Sequence, residues 1–213
     1  MDVQEFREKA ILNKPDIHVS KPEIELREYV QSIYPGEVIR TNDGTYELDI
    51  YIPDKKVGIE YNGNYWHSLK NREKNYHYNK YKHFEEKGIR VIHIWEYEWD
   101  NPRQRPILEN IIKNALGLND KTIYARKCKI EVRPSASMKD FFQKNNIQGF
   151  RGGKFAICLV YENEVVMAYM MGHCFFGKGK YEWEVIRGAT KLGYNVVGGA
   201  SKIWNYFLAE YNP

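Results

Sequence analysis

Cysteine is scarce. Cys128, Cys158 and Cys174 are the three in 213 residues, widely spaced and without a C-x-x-C pair. That excludes a disulfide framework and a cysteine zinc cluster, and it fits a reducing cytoplasm. No apolar run approaches the roughly 20 residues that cross a bilayer, so a membrane is not an expected partner. Met1–Ser20 is charged and lacks an apolar core, so it does not read as a signal peptide. Long blocks of like charge, internal repeats and low-complexity runs are also missing. What remains, 43% hydrophobic and 28% charged residues, is ordinary for a globular chain. The length suits one large domain or two small ones.

Aromatic residues are plentiful, with 17 tyrosines and 5 tryptophans. Tyrosine packs on one side and hydrogen-bonds a wet partner on the other, a property used by nucleic-acid binders and ordinary cores alike. Charge is uneven. Residues 1–120 hold 18 Lys and Arg against 21 Asp and Glu, whereas residues 121–213 hold 14 against 7. The first part is therefore net −3 and the second net +7. Carboxylates in one part can hold metal while cations in the other neutralise a polyanion. Chance surface composition is the competing explanation.

The pattern predicts a short leader helix within residues 1–19, at Asp2–Leu12, broken by Lys14-Pro15-Asp16. Ser20 then opens a helix as N-cap, with Pro22 in its first turn and Glu23 completing a capping box. Leu26, Tyr29, Val30 and Ile33 give it a helical stripe. Strands follow at 37–41, 45–53 and 56–62, separated by Asn42-Asp43-Gly44 and Pro53–Lys56 turns. A polar, tyrosine-rich helix at 68–87, a strand at 89–95 and a helix at 105–116 complete an α-β-β-β-α-β-α order, which suits a mixed sheet flanked by helices. Gly117–Lys121 is the expected boundary between domains at 20–117 and 122–213. Beyond it come a strand at 122–133, a helix at 136–145, strands at 154–161, 164–172, 181–187 and 195–197, and a helix at 200–210.

The segment Glu47–Asn62 is the most informative. A hairpin turning at Asp54-Lys55 pairs 52 with 57, 51 with 58, 50 with 59 and 49 with 60. Leu48, Ile50, Ile52, Val57, Ile59 and Tyr61 then share one face, and Glu47, Asp49, Tyr51, Gly58, Glu60 and Asn62 the other. Asp49 and Glu60 oppose each other with Cβ atoms about 5 Å apart, where like charges repel. A hard cation such as Mg²⁺, held by oxygens, would remove the conflict. A solvated polar face neutralised by lysines would also do so. Gly63 allows a tight swing that brings His67 back toward the strand ends, where an imidazole can act as a general base or be merely structural. Tyr65 and Trp66 read as half-core, with Trp66 a candidate wedge between base steps.

These residues resemble the PD-(D/E)XK nucleases, the restriction-endonuclease-like fold, and most closely the very-short-patch-repair endonucleases and related phage or intron-encoded homing endonucleases. The resemblance covers about residues 20–116 and rests on Glu23, Asp49, Glu60 to His67, and Ile94-Trp95-Glu96. It implies a mixed sheet flanked by helices and an Mg²⁺- or Mn²⁺-dependent endonuclease acting on double-stranded DNA. Asp49 and Glu60 would be the metal carboxylates, with Glu23 and the Tyr61 carbonyl as further ligands and His67 as base. Asn62 stands where the superfamily's E-x-K motif has lysine, so the resemblance assigns that lysine's work to His67, with Asn62 bonding phosphate or water. The missing lysine equally fits a non-catalytic DNA-binding protein on the same fold. One site cuts one strand, so a monomer would nick and a homodimer could cut both.

Ile123–Cys128, Asn146–Gly149 and Leu192–Lys202 resemble the appended domain of phage homing-endonuclease-like proteins, an acetyltransferase-like α+β layout. That family continues past Pro213 with another strand, so a truncated basic accessory domain is expected at 122–213. An acyltransferase there lacks the Q/R-x-x-G-x-G/A loop. Gly198–Ser201, opening a helix, could hold an anion or form a plain cap. His77 and Lys80 are expected nearest DNA phosphates on a helix whose charged face could also be simply solvated. Arg126, Lys127 and Lys129 form a second basic cluster, with Lys127 and Lys129 on one side of a strand. Arg151 and Lys154 in a glycine loop are further phosphate candidates.

Overall fold

The computed structural model describes residues 20–63, 75–175 and 181–211. The leader helix and the residues Trp66 and His67 lie outside these, as does the start of the helix expected from 68. The architecture is α+β. It divides into two units between Leu108 and Glu109, inside a helix rather than at the expected Gly117–Lys121 link. Among the described residues, no helix is long and apolar enough to cross a membrane.

The first unit opens with α1 (Lys21–Ile33). The Ser20 hydroxyl accepts the Glu23 N–H at 3.3 Å, and proline occupies the first turn. This satisfies an amide that the helix start would otherwise leave unpaired. Leu26 and Val30, one turn apart, are fully buried. A four-stranded mixed sheet follows, in the order β1 (Ile39–Asn42), β2 (Glu47–Ile52), β3 (Val57–Asn62) and β4 (Arg90–Trp95). β1 and β3 run antiparallel to β2, and β4 runs parallel to β3. Between β3 and β4 stands α2 (Tyr76–Glu86). A short turn of helix, α3 (Glu96–Trp99), and then α4 (Arg105–Leu116) follow β4.

The hairpin register is the one the alternation predicts at 52 with 57, 51 with 58 and 50 with 59, but the expected pairing of 49 with 60 is not formed. One residue departs from the expected faces. Between Ile39↔Tyr51 and Thr41↔Leu48 the β1–β2 register shifts by one, so β2 carries an extra residue at Asp49–Ile50. This bulge turns Leu48 away from Ile50 and into a cluster with Tyr51, Phe84, Ile89 and Val91. Gly58 makes room for it, since a Cβ there would sit 2.9 Å from both Leu48 methyls.

The turn between β1 and β2 is tied to α2. Asp43 Oδ1 accepts the N–H groups of Thr45 and Tyr46 at 3.0 Å. Its other oxygen lies 2.5 Å from His83 Nε2 and also receives the Lys87 ammonium. Burial alone would raise the Asp43 pKa, but these four bonds hold it well below the ordinary carboxylate range.

In the second unit, β6 (Lys129–Pro134), β7 (Phe155–Tyr161), β8 (Glu164–His173) and β9 (Trp183–Thr190) form an antiparallel meander. Alternation along β7 sends Ile157 and Leu159 to one core with Ile203 and Phe207 of α6 (Gly199–Tyr211). It sends Ala156, Cys158 and Val160 to another, with Phe142 of α5 (Lys139–Asn145). A separate parallel pair joins β5 (Lys121–Tyr124) to β10 (Tyr194–Val197). The single strand expected at 122–133 is therefore two strands, separated by a tight turn at Ala125–Lys127. Lys202 holds that turn by donating to the carbonyls of Ala125, at 3.0 Å, and Cys128, at 2.6 Å. All three cysteines are free.

Candidate active site

The bulge in β2 and the end of the β2–β3 pairing bring two carboxylates together. Asp49 accepts the Tyr61 N–H at 2.9 Å, and Glu60 Oε1 lies 3.4 Å from the Asp49 N–H. Each acid thus takes an amide of the opposite strand where regular cross-strand pairing has stopped. Glu60 is only 6% exposed. Burial, and then the charge of Asp49, raise its pKa well above the usual range, against the pull of Lys80. Burial likewise raises that of Asp49. Asp49 is half-buried and opposes the ionisation of the buried Glu60, so positive charge beside them is stabilising.

Three side chains supply positive charge there. Lys80 of α2, 4% exposed, places its ammonium 2.5 Å from Glu60 Oε2. This corrects the expected role of Lys80: it is not a surface phosphate contact but the buried partner of Glu60. The stretch looks polar all round in sequence, yet position 80 is one that α2 turns to the sheet together with Phe84. From β1, Arg40 hydrogen-bonds Glu47 and lies 3.4 Å from Glu23 Oε1 and 3.6 Å from Asp49 Oδ1. A third cation, Arg27 of α1, donates to the Asp49 carbonyl at 2.5 Å.

Glu23 belongs to this cluster through Arg40. It is 8% exposed, and its Oε1 is buried without a hydrogen bond. Burial first, then Asp49, push its pKa up to about 7, with Arg40 and Arg27 opposing. Among the described residues no three His, Cys, Asp or Glu side chains form a metal-binding group. The structure thus does not assemble Glu23, Asp49 and Glu60 into one ligand set, because the Glu23 carboxylate meets Arg40.

Asn62, 1% exposed, lies with its Nδ2 3.3 Å from His93 Nδ1. The sequence reading missed His93, which sits on β4 directly beside Glu60 in register. Its signal was available: β4 runs parallel to β3, which puts every second β4 residue on the Glu60 face. His77, expected at phosphates, is half-buried and packs edge-on against His93 at 5.7 Å between ring centres, and also against Trp95 at 5.7 Å. The Tyr61 hydroxyl is buried without a hydrogen bond, and burial raises its pKa.

The remaining expected contacts are in the second unit. Arg126, Lys127, Lys129, Arg151 and Lys154 are all exposed. Arg126 lies over the Tyr124 ring, 5.2 Å from its centre. Arg126 and Lys127 belong to the tight turn rather than a strand, so Lys127 and Lys129 do not share a strand side as expected.

Comparison of the chain with family models, with curated proteins and with solved structures finds no match. The donor set of Asp49 and Glu60 fits Mg²⁺ or Mn²⁺. Such ions take oxygen ligands, and Mg²⁺ keeps several waters and is commonly held by only one or two carboxylates plus substrate phosphate. Asp49 and Glu60 are two such carboxylates, and the charge of Asp49 beside Glu60 makes positive charge there stabilising.

Proposed function

We propose that this chain is a divalent-metal-dependent DNA endonuclease of the PD-(D/E)XK type, built like the phage homing endonucleases and working in a cytoplasm. The observation that carries the reading is the pairing of half-buried Asp49 with buried Glu60, each carboxylate fixed by an amide of the other's strand. Asp49 and Glu60 hold Mg²⁺ or Mn²⁺, with the Tyr61 carbonyl as a further oxygen. The bound ion supplies Lewis-acid polarisation of the phosphodiester and stabilises the leaving oxygen. Glu23 supports the site through Arg40. Lys80, beside Glu60, supplies the positive charge that the E-x-K lysine supplies in the superfamily, while Asn62 orients His93 instead. His67 is the proposed base, taking the proton of the attacking water. The exposed Arg126, Lys127, Lys129, Arg151 and Lys154 track the DNA backbone, with salt-sensitive and largely sequence-independent affinity. One site nicks one strand, and a homodimer would cut both.

The test is conversion of supercoiled plasmid to nicked circle in Mg²⁺. Wild type should leave 5′-phosphate and 3′-hydroxyl ends. Asp49→Asn, Glu60→Gln and His67→Ala should each lose about 100-fold or more. Equal rates in all four proteins would defeat the assignment. A second reading is favoured by Arg40 and Lys80, which already neutralise the carboxylates: a DNA-binding protein without chemistry. It requires salt-dependent binding with no metal-dependent product.

A further inference from the structure

The parallel ribbon of β5 and β10 breaks its inside-outside pattern at one end. Ile123 and Val196 face inward and pack on a core with Ile203 and Phe207. The register pairs Thr122 with Asn195 and Tyr124 with Val197, so these four share the outer face. Thr122 and Asn195 are exposed polar residues, as a solvated face requires. Tyr124 and Val197 depart from that: a ring and a branched aliphatic side chain stand side by side, 49% and 43% exposed. They are the last residues of their strands. After Tyr124 the chain enters the Ala125–Lys127 turn, whose Arg126 and Lys127 are exposed. The Arg126 guanidinium lies over the Tyr124 ring, 5.2 Å from its centre. Lys202 bonds the carbonyls of Ala125 and Cys128, on either side of the two cations, so the turn is held in place before any ligand arrives.

We propose that this end of the ribbon binds single-stranded DNA, with an unpaired base stacked on Tyr124 and the flanking phosphates on Arg126 and Lys127. The inference rests on the DNA-binding reading of the basic residues above, and it names the form of DNA they hold here. The two cations suit single and double strands alike, because both carry phosphates. The exposed ring favours the single strand. Bases inside a duplex stack on one another and leave no face for a tyrosine, whereas an unpaired base offers a whole π surface. The guanidinium beside the ring is a second plane on which a base can stack. Val197 extends the apolar floor next to the ring. Stacking reads no hydrogen-bonding edge, so a base of any identity is accepted.

The experiment is fluorescence anisotropy with the full chain in EDTA, where no metal-dependent cleavage can intervene, at one fixed salt concentration. The probes are a labelled 20-nucleotide thymidine strand, the same strand with abasic sites throughout, and a 20-base-pair duplex. Wild type should bind the thymidine strand about tenfold or more tightly than the abasic one. Tyr124→Ala should lose about tenfold for the thymidine strand and less than twofold for the other two, and Tyr124→Phe, which keeps the ring, should stay within twofold of wild type throughout. Equal wild-type affinity for the thymidine and abasic strands, or a Tyr124→Ala loss shared by all three probes, would overturn the stacking role while leaving the basic residues as backbone contacts. Binding of none of the three would sink the DNA-binding reading of this unit, and this inference with it. Should Tyr124→Ala lose its native circular dichroism spectrum, the wild-type comparison of thymidine with abasic strand decides alone.

Discussion

Lys80→Met removes an ammonium from a place water does not reach. Lys80 is 4% exposed and Glu60 6%, and their charged atoms are 2.5 Å apart. Breaking one side of a buried ion pair costs about 3–5 kcal/mol when the remaining charge has no escape. Glu60 has an escape, because burial and Asp49 already raise its pKa. Without Lys80 it takes up a proton, and the loss shrinks toward that of one hydrogen bond, about 1 kcal/mol. The cost must therefore depend on pH. A carboxyl whose folded pKa is raised is protonated at low pH and must ionise without a partner at high pH. In EDTA, urea unfolding should show Lys80→Met less stable by about 1 kcal/mol at pH 5, with the gap widening only as pH rises past the wild-type Glu60 pKa of about 8, to about 2–3 kcal/mol at pH 9.5. Lys80→Met combined with Glu60→Leu should recover most of the high-pH loss, since a buried pair replaced by apolar side chains is commonly neutral. A small cost that is the same at both pH values would place Lys80 in solvent and refute the buried pair.

Other substitutions probe the supports of the site. Asp43→Asn should destabilise the chain by about 1–3 kcal/mol at pH 7, because the Lys87 ammonium and the His83 ring lose their carboxylate partner. The folded pKa of Asp43 lies below its unfolded value, so its contribution is full above about pH 4 and fades as pH falls further. The gap between Asp43→Asn and wild type should close in acid, and a gap unchanged at pH 2 would contradict the arrangement. Gly58→Val should cost about 1–3 kcal/mol by forcing Leu48 out of its place, and adding Leu48→Ala should relieve part of that in the same unfolding assay. Lys202→Met should cost about 1–3 kcal/mol by freeing two carbonyls of the tight turn. Amide exchange at Arg126–Cys128 should then accelerate, and unchanged exchange would remove Lys202 from that role.

The hairpin register was legible because period-two alternation leaves one consistent pairing, and the structure has it at three successive pairs. Strand and helix order was legible for the same reason, with turn residues marking the ends. The bulge at Asp49–Ile50 was not, because it depends on how β1 meets β2 and leaves the local pattern unchanged. Lys80 was misread for a related cause. On a helix of mixed polar residues, a lysine turned inward looks like its solvated neighbours until the opposing carboxylate is located. Asp43 reads as an ordinary turn aspartate, and its partners His83 and Lys87 are 40 and 44 positions away in sequence. The strand expected at 122–133 alternates well enough to hide the turn at Ala125–Lys127, which Lys202 fixes from the far end of the unit.

The most direct test is crystallographic: soak Mn²⁺ into crystals and measure its anomalous scattering. The account predicts one peak about 2.2 Å from an oxygen of both Asp49 and Glu60, absent in Asp49→Asn. Mn²⁺ found only elsewhere, with Lys80 still seated on Glu60 and no density between the two acids, would contradict it.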